Sequence, residues 1–190
     1  LPEALQGSHW PTNDASLQAL EQGDDRCRQS LVFDEFFYLE LGLALKRQGI
    51  QLEEGIAFKV EHRYTIPLNK MLPFRMTDAQ RRVLGEIKND MMLSHPMNRL
   101  LQGDVGSGKT LVALMAALIA IENGTQVAIV APTEILAEQH FQVFRGWLER
   151  LELKAVLLQG KMNAKDRKEC LKMISDGEAD LIVGTHAVLQ

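Results

Sequence analysis

The sequence predicts an α/β fold in which helices flank a parallel β-sheet. Four short apolar segments alternate with helical segments of roughly ten to eighteen residues in the second half of the chain, which is the pattern of βαβ units. A glycine-rich loop at residues 103–110 separates the first of these strands from a helix. With 190 residues, of which 46% are hydrophobic, the chain is long enough for one such domain and an accessory segment.

The accessory segment is predicted to be mainly helical and to span residues 1–72. Residues 1–13 are rich in turn-forming residues, and Asp14 or Ser16 is suited to begin a short helix that runs through Gln22. The whole net charge of −4 resides in this segment. The chain therefore has no basic field that would indicate nucleic-acid binding, and any such binding must come from a local groove.

A longer helix is predicted from Asp24 to Gln48, because its first turn is acidic, its last turn is basic and Gly49 follows as a stop signal. The apolar residues that recur along it at three- and four-residue spacing are Phe33, Phe36, Phe37, Leu41, Ala44 and Leu45. We interpret this stripe as a surface that packs on a neighbouring domain, with a partner-binding surface as the alternative. Residues 51–72 are punctuated by glycine and proline and are predicted to be an extended connector.

The predicted α/β domain spans residues 73–190. Thr77 and Gln80 have the spacing of a capping box, which predicts a helix from Asp78 to Met92. Residues 97–102 are predicted to form the first strand. The remaining strands are predicted at residues 126–131, 153–159 and 180–184, and the remaining helices at residues 111–121, 134–151 and, with Asn163 as its cap, through Ser175.

The glycine-rich loop has the pattern G-x-x-x-x-G-K-T, the P-loop pattern, and predicts a nucleotide-binding site. It consists of Gly103, Asp104, Val105, Gly106, Ser107, Gly108, Lys109 and Thr110. Glycine lets backbone N–H groups approach the phosphates, and the following helix adds unpaired N–H groups and the positive end of its dipole. Lys109 is suited to contact the β- and γ-phosphates, and the Thr110 hydroxyl is suited to ligate Mg²⁺.

Three segments are predicted to meet at the carboxyl edge of the sheet, where parallel sheets bind their ligands. They are the P-loop, Pro132-Thr133 and Thr185-His186, each of which follows a predicted strand. The sequence therefore predicts that a phosphate-binding loop and two polar corners lie along one edge of the domain.

Several of these segments resemble the motifs of the RecG-type branched-DNA helicases. Residues 102–110 resemble the first motif of that family, residues 131–140 resemble its motif Ia, and residues 183–187 resemble the motif that follows. Leu72-Pro73-Phe74 is similar to the family's entry into the first motor lobe. Residues 33–43 resemble the helical segment between the family's DNA-binding wedge domain and its motor. The resemblance covers essentially the whole chain.

The resemblance implies an ATP-driven DNA translocase that remodels stalled forks and recombination junctions, Holliday junctions included, in bacterial DNA repair. It implies a P-loop NTPase (RecA-like) lobe with ATP and Mg²⁺ as cofactors, in which Lys109 and Thr110 serve catalysis. Gln80 would contact the adenine edge, for which an amide is suited, and Phe74 would pack near the base. The residues that would touch the DNA backbone are Pro132, Thr133, Thr185 and His186.

These residues also have structural interpretations. Gln80 is the capping partner of Thr77, and Phe74 is suited to a hydrophobic core. Thr133 is suited to cap the helix that follows it, which is compatible with a phosphate contact. His186 has no identifiable carboxylate partner, so it is interpreted as a DNA-side or structural residue rather than as a base.

Two features that ATP hydrolysis requires are not found in the sequence after Lys109. The helicase pattern places an Asp-Glu pair after a further strand and arginines on a second motor lobe. The chain stops at Gln190, before that strand is expected. We therefore interpret it as a fragment truncated before the Walker B strand, and we expect it to bind Mg-nucleotide weakly without turning over ATP.

Three other functions compete with this interpretation. The motor of a transcription-repair coupling translocase has similar motifs, and a non-catalytic nucleotide-binding regulator would use the P-loop as a switch. A small-molecule kinase is disfavoured because no segment resembles a phosphoacceptor pocket or a lid. No apolar run predicts a membrane partner, and two cysteines fit a reducing cytoplasm, which the resemblance implies is that of a bacterium.

Overall fold

The computed structural model of the chain describes residues 2–12, 15–23 and 25–188. The chain divides into two compact units, Leu1–Glu54 and Gly55–Gln190. Within the described ranges, no helix combines the length and the apolar character that crossing a membrane requires.

The described part of the first unit consists of α1 (Pro2–His9), α2 (Leu17–Gln22) and α3 (Arg26–Leu52). The turn prediction for residues 1–13 is wrong. Pro2 stands at the first helical position, where its missing N–H is not needed, and α1 packs on α3. Ser16 caps α2 as predicted, since its Oγ accepts a hydrogen bond from the Ala19 N–H at 3.3 Å. The alternative cap, Asp14, lies outside the described residues.

The long helix α3 continues past its predicted stop at Gly49 and ends at Leu52. A glycine inside a helix costs about 1 kcal/mol relative to alanine, which is not enough to end a helix by itself. The predicted start, Asp24, lies outside the described residues. The predicted apolar stripe is on the surface, where Phe33 is 65% exposed and stacks on Phe37 with ring centroids 5.8 Å apart.

The second unit starts earlier than the predicted division between residues 72 and 73. Residues 51–72 are not an extended connector, because α4 (Thr65–Met71) forms within them and completely buries Leu68. Pro67 is compatible with α4 because it lies in the first turn, where no intrahelical N–H bond is lost. Residues 55–71 are therefore part of the second unit, and α4 contributes Leu68 to its core.

The α/β part of the second unit consists of α5 (Asp78–Met91), α6 (Lys109–Ile121), β1 (Val127–Val130), α7 (Glu134–Leu148), β2 (Ala155–Leu158), α8 (Ala164–Ser175) and β3 (Leu181–Gly184), with 3₁₀ turns at Glu149–Leu151 and His186–Val188. The strands pair in parallel in the order β1-β3-β2. The predicted α/β class, with a parallel sheet, flanking helices and a helical segment before it, is confirmed.

Alternate residues of the strands face two different helical layers. In β3, Leu181 and Val183 pack in one cluster with Leu118 of α6 and Phe144 of α7. Ile182, between them, packs in a second cluster with residues of α8. Helices thus cover both faces of the sheet, and its ligand-accessible part is the edge where the strands end.

The prediction of a strand at residues 97–102 is wrong. These residues join no sheet in the structure, and Leu100 is 80% exposed. A strand needs a neighbour to satisfy its backbone N–H and C=O groups, and β1 pairs only with β3 among the described strands. Arg99 holds the segment instead, through ion pairs with Asp90 at 2.6 Å and Glu86 at 2.7 Å. The hydrogen bond to Asp90 is the main reason why the pKa of Arg99 is raised.

Candidate functional site

The predicted P-loop lies at the N-terminus of α6. The loop contains a turn in which the Ser107 N–H donates to the Asp104 carbonyl at 3.2 Å. Gly106 and Gly108 have φ angles of 81° and 84°, a region that residues with a side chain rarely adopt. Gly108 is the N-cap of α6 and offers no side chain to the first N–H groups of the helix, an arrangement suited to an anion.

Two glycines of the loop are also closely approached by side chains. A Cβ atom at Gly103 would lie 2.8 Å from the Ser107 Oγ, and a Cβ atom at Gly108 would overlap the Gln80 Nε2. A Cβ atom at Gly106 would meet no other atom. Gly106 is therefore needed for its backbone conformation alone, whereas a Cβ atom at Gly108 would also force the Gln80 side chain to move.

Lys109 is the first residue of α6, and its ammonium group turns back onto the loop. Its Nζ donates hydrogen bonds to the backbone carbonyls of Gly103 at 2.6 Å and Asp104 at 2.8 Å. The positive charge is thus held at the loop, beside the positive end of the α6 dipole, and both attract phosphate. Thr110 is half-buried, and its hydroxyl forms no hydrogen bond with any residue that the structure describes. The side chain of Val105, in the middle of the loop, is fully exposed.

Gln80 connects the N-terminus of α5 to the P-loop. The predicted capping box is present, because the Gln80 N–H donates to the Thr77 Oγ1 at 3.2 Å and the Thr77 N–H donates to the Gln80 Oε1 at 2.9 Å. The Gln80 Nε2 also donates to the Ser107 carbonyl at 2.9 Å. The predicted capping role is confirmed, and the amide also bonds the P-loop.

Phe74 lies on a cavity of about 750 Å³ that is bordered by α4, α5 and α6. The lining includes Leu84 and Met115, but it includes neither Gln80 nor any residue of the P-loop, all of which the structure describes. Phe74 is 54% exposed, so the alternative interpretation as a core residue is wrong. The structure therefore brings Gln80 to the P-loop and leaves Phe74 on a different cavity.

The carboxyl ends of β1 and β3 lie side by side. Val130 pairs with Gly184, and the ladder continues with a hydrogen bond from the Ala131 N–H to the Gly184 carbonyl at 2.8 Å. The residues after both strands therefore leave the sheet together. Thr133 caps α7 as predicted, since its Oγ1 accepts from the Leu136 N–H at 3.3 Å.

A polar cleft of about 390 Å³ lies at this edge of the sheet, and we call it the edge cleft. All four residues that the resemblance assigned to the DNA backbone line it, namely Pro132, Thr133, Thr185 and His186. Thr185 is the one polar or charged residue that is buried among those that the structure describes, with 6% of its surface exposed. The parallel register explains why two segments far apart in sequence form one surface.

The edge cleft contains three further residues that sequence reasoning missed, Glu134, Gly160 and Arg167. Gly160 follows β2, whose last residue, Leu158, pairs with the last residue of β3, so the edge argument could have found it. No motif marks Arg167, which ends the first turn of α8. Its side chain is half-buried and forms no hydrogen bond or ion pair with described residues.

The site offers few groups to a metal ion. In the described ranges, no group of three or more His, Cys, Asp or Glu side chains is arranged to hold a metal. Mg²⁺ that is bound with a nucleotide takes most of its ligands from phosphates and water. The position of Thr110 at the start of α6 fits the role of a protein ligand to such an ion.

Comparison with protein families decides the broader assignment. The family profile described as "DEAD/DEAH box helicase" matches residues 77–190, a range that contains both the P-loop and the edge cleft. The chain belongs to the DEAD/DEAH box helicase family. The predicted P-loop NTPase fold is thereby confirmed.

Within this helicase family, the chain is similar along its whole length to proteins named "ATP-dependent DNA helicase RecG". One from Pasteurella multocida (strain Pm70) is 46% identical over 192 residues, and one from Escherichia coli (strain K12) is 44% identical over 190 residues. The chain spans 27% of the length of each. A solved structure described as "Structure of RecG bound to three-way DNA junction" has a TM-score of 0.80 and 38% identity, over 98% of this chain and 25% of that one. The resemblance to RecG-type helicases is confirmed.

Proposed function

We propose that this chain is the nucleotide-binding part of an ATP-dependent DNA helicase that remodels stalled forks and recombination junctions in the bacterial cytoplasm. The observation that carries the proposal is that one compact unit contains both the P-loop, at the start of α6, and the edge cleft, after β1 and β3. The names of the relatives and the DNA junction in the related structure support DNA as the partner.

In this proposal, the P-loop binds the phosphates of ATP. The backbone N–H groups at the start of α6 and the Lys109 ammonium would contact the phosphate oxygens, and the Thr110 hydroxyl would ligate Mg²⁺. Mg²⁺ supplies charge neutralisation at the phosphates when it is bound. Gln80 would hold the loop through Ser107 and offer its amide to the adenine edge. Phe74 would pack near the base only if the segment before α5 moves.

The edge cleft would hold the DNA backbone. The Thr133 Oγ1 caps α7 by accepting a hydrogen bond, so its O–H can still donate one. The hydroxyl groups of Thr133 and Thr185 are therefore suited to donate to phosphate oxygens. The exposed His186 side chain and Pro132 would border the strand. Such contacts position a strand without reading its sequence, as a helicase that acts on any sequence requires.

The two units have different proposed roles. Residues 73–190 would form the N-terminal part of motor lobe 1, and the residues from Gly55 onward would belong to the same folded body. The helical segment before them would link or pack the motor against a DNA-binding domain. The surface-exposed aromatic stripe of α3 is the feature that supports this packing role.

DNA-stimulated ATP turnover by the full gene product tests this function. Thr185→Val keeps the shape of the side chain and removes the hydroxyl, so the DNA-stimulated rate should fall about tenfold while the DNA-independent rate stays unchanged. Thr12→Val makes the same substitution at an exposed threonine outside the edge cleft, and it should have no effect. A wild-type rate that does not respond to forked DNA would contradict the proposal.

A further inference from the structure

The charges of the edge cleft come from two described side chains of opposite sign. Arg167, on α8, carries a permanent positive charge, and Glu134, in the first turn of α7, carries a negative one. They do not form an ion pair with each other, because no nitrogen–oxygen distance between them is within 4.0 Å. Both residues line the cleft, and neither charge has a protein partner among the described residues.

We propose that Arg167 binds a backbone phosphate of single-stranded DNA in the edge cleft, an inference that rests on the proposed function. The planar guanidinium presents its donors as a fork that matches two oxygens of one phosphate. Arg167 is half-buried, so its charge is less screened by water than that of a fully exposed side chain. Because its guanidinium makes no intramolecular bond with described residues, binding phosphate costs no existing interaction.

Glu134 makes the contribution of Arg167 larger than that of an ordinary surface cation. A Cβ atom on Gly160 would lie 3.4 Å from the Glu134 Oε1, which places this carboxylate beside the loop after β2. Without Arg167, the described lining of the cleft would hold a carboxylate and no permanent cation, and the carboxylate would weaken the binding of phosphate. Arg167 therefore both attracts the phosphate and offsets Glu134.

The fold places Arg167 for this contact. β2 ends at the carboxyl edge, and α8 begins a few residues later with Asn163 as its cap, so its first turn returns to the same edge. The Gln159 Nε2 donates to the Glu134 carbonyl at 3.3 Å and ties this connection to α7. The cation thus comes from a third segment, in addition to those that supply Thr133 and Thr185.

Binding of a fluorescein-labelled single-stranded oligonucleotide to the 190-residue chain, followed by anisotropy at several salt concentrations, tests the proposal. Arg167→Gln should weaken binding at least about tenfold at low salt. Affinity falls as salt rises, and the variant should make the slope of log affinity against log salt less negative by about 0.7. This is the value for one lost phosphate contact on a single strand. Arg167→Lys, which keeps the charge and loses the fork, should bind with intermediate affinity.

Two further variants separate the specific contact from general charge. Lys168→Gln makes the same change in net charge at the next residue of α8, which is exposed and does not line the cleft, and it should change affinity less than about twofold. Glu134→Gln should strengthen binding, and adding it to Arg167→Gln should restore part of the lost affinity. Unchanged thermal unfolding of each variant shows that the fold is retained.

The outcomes distinguish this proposal from the function on which it rests. If the wild-type chain binds DNA and Thr185→Val weakens binding, but Arg167→Gln and Lys168→Gln have equal effects, the role of Arg167 is overturned and the function stands. If the wild-type chain does not bind the oligonucleotide, or if Thr185→Val and Arg167→Gln both leave binding unchanged, the edge cleft is not a DNA site and both proposals fail.

Discussion

The side-chain Nε2 of Gln80 donates a hydrogen bond to the backbone carbonyl of Ser107 at 2.9 Å. The same side chain completes the capping box of α5 with Thr77. One amide therefore joins the start of a helix to the phosphate-binding loop, and the position of the loop depends on the position of α5. The spacing of Gln80 from Thr77 predicts only a helix cap, but its side chain also holds the phosphate-binding loop.

Gln80→Ala should lower the free energy of unfolding by about 1–2 kcal/mol, because the Thr77 N–H and the Ser107 carbonyl both lose their partner. Gln80→Glu should cost less, since a carboxylate oxygen still accepts from Thr77. Both variants should weaken nucleotide binding, because neither donates to Ser107. Urea unfolding and titration with a fluorescent nucleotide measure the two effects. Gln142→Ala, an exposed glutamine on α7, is the control and should change neither quantity.

The same variants decide between the two interpretations of Gln80. If its amide contacts adenine, Gln80→Ala should reduce the preference for ATP over GTP. If it only positions the loop, the affinities for ATP and GTP should fall by the same factor.

Gly108→Ala should weaken nucleotide binding by more than its lower free energy of unfolding can account for. The positive φ of 84° costs an alanine about 1–2 kcal/mol, and its Cβ would also displace the Gln80 amide. Gly124→Ala is the matched control, because Gly124 has a similar φ of 76° and open space around a Cβ. Both variants should lose similar free energy from backbone strain, but only Gly108→Ala should lose affinity for nucleotide. Equal binding by both would contradict the proposed packing of Gly108 against Gln80.

Leu68→Ala should lower the free energy of unfolding of the second unit by about 2–5 kcal/mol, because Leu68 is completely buried in the core cluster that contains Leu118. Ile66→Ala, in the same helix but 49% exposed, should cost much less. Equilibrium unfolding in urea compares them. Equal small effects would show that α4 is a loosely attached connector, as the sequence alone indicates.

Local signals predicted most of the α/β unit. The caps at Thr77, Thr133 and Asn163 are short-range patterns in which a side-chain oxygen meets an N–H three residues later, and all three form as predicted. Pro67 was misleading, because a proline that usually breaks a helix is tolerated in the first turn. The stabilisation of α4 comes from burying Leu68 against distant residues, which no local pattern reports.

Features that depend on a distant partner could not be predicted. Residues 97–102 form a short segment with apolar residues before the P-loop, as a strand would, but a strand forms only where a neighbour completes its hydrogen bonds. Arg167 lies in the edge cleft because α8 returns to the carboxyl edge after β2, and nothing in its local sequence distinguishes it from the exposed Lys168. By contrast, Thr133 and Thr185 lie close behind the ends of β1 and β3, so the rule for parallel sheets was sufficient to place them together.

Titration of the 190-residue chain with a fluorescent ATP analogue in the presence of Mg²⁺ tests whether the P-loop binds nucleotide. The Lys109 ammonium bonds the carbonyls of Gly103 and Asp104 and supplies the loop's positive charge. Lys109→Ala should therefore abolish binding while its unfolding transition stays close to that of the wild type. Lys172→Ala, at an exposed position on α8, should bind like the wild type. If all three proteins give the same titration curve, the glycine-rich loop is not a nucleotide site, and the proposed function is contradicted.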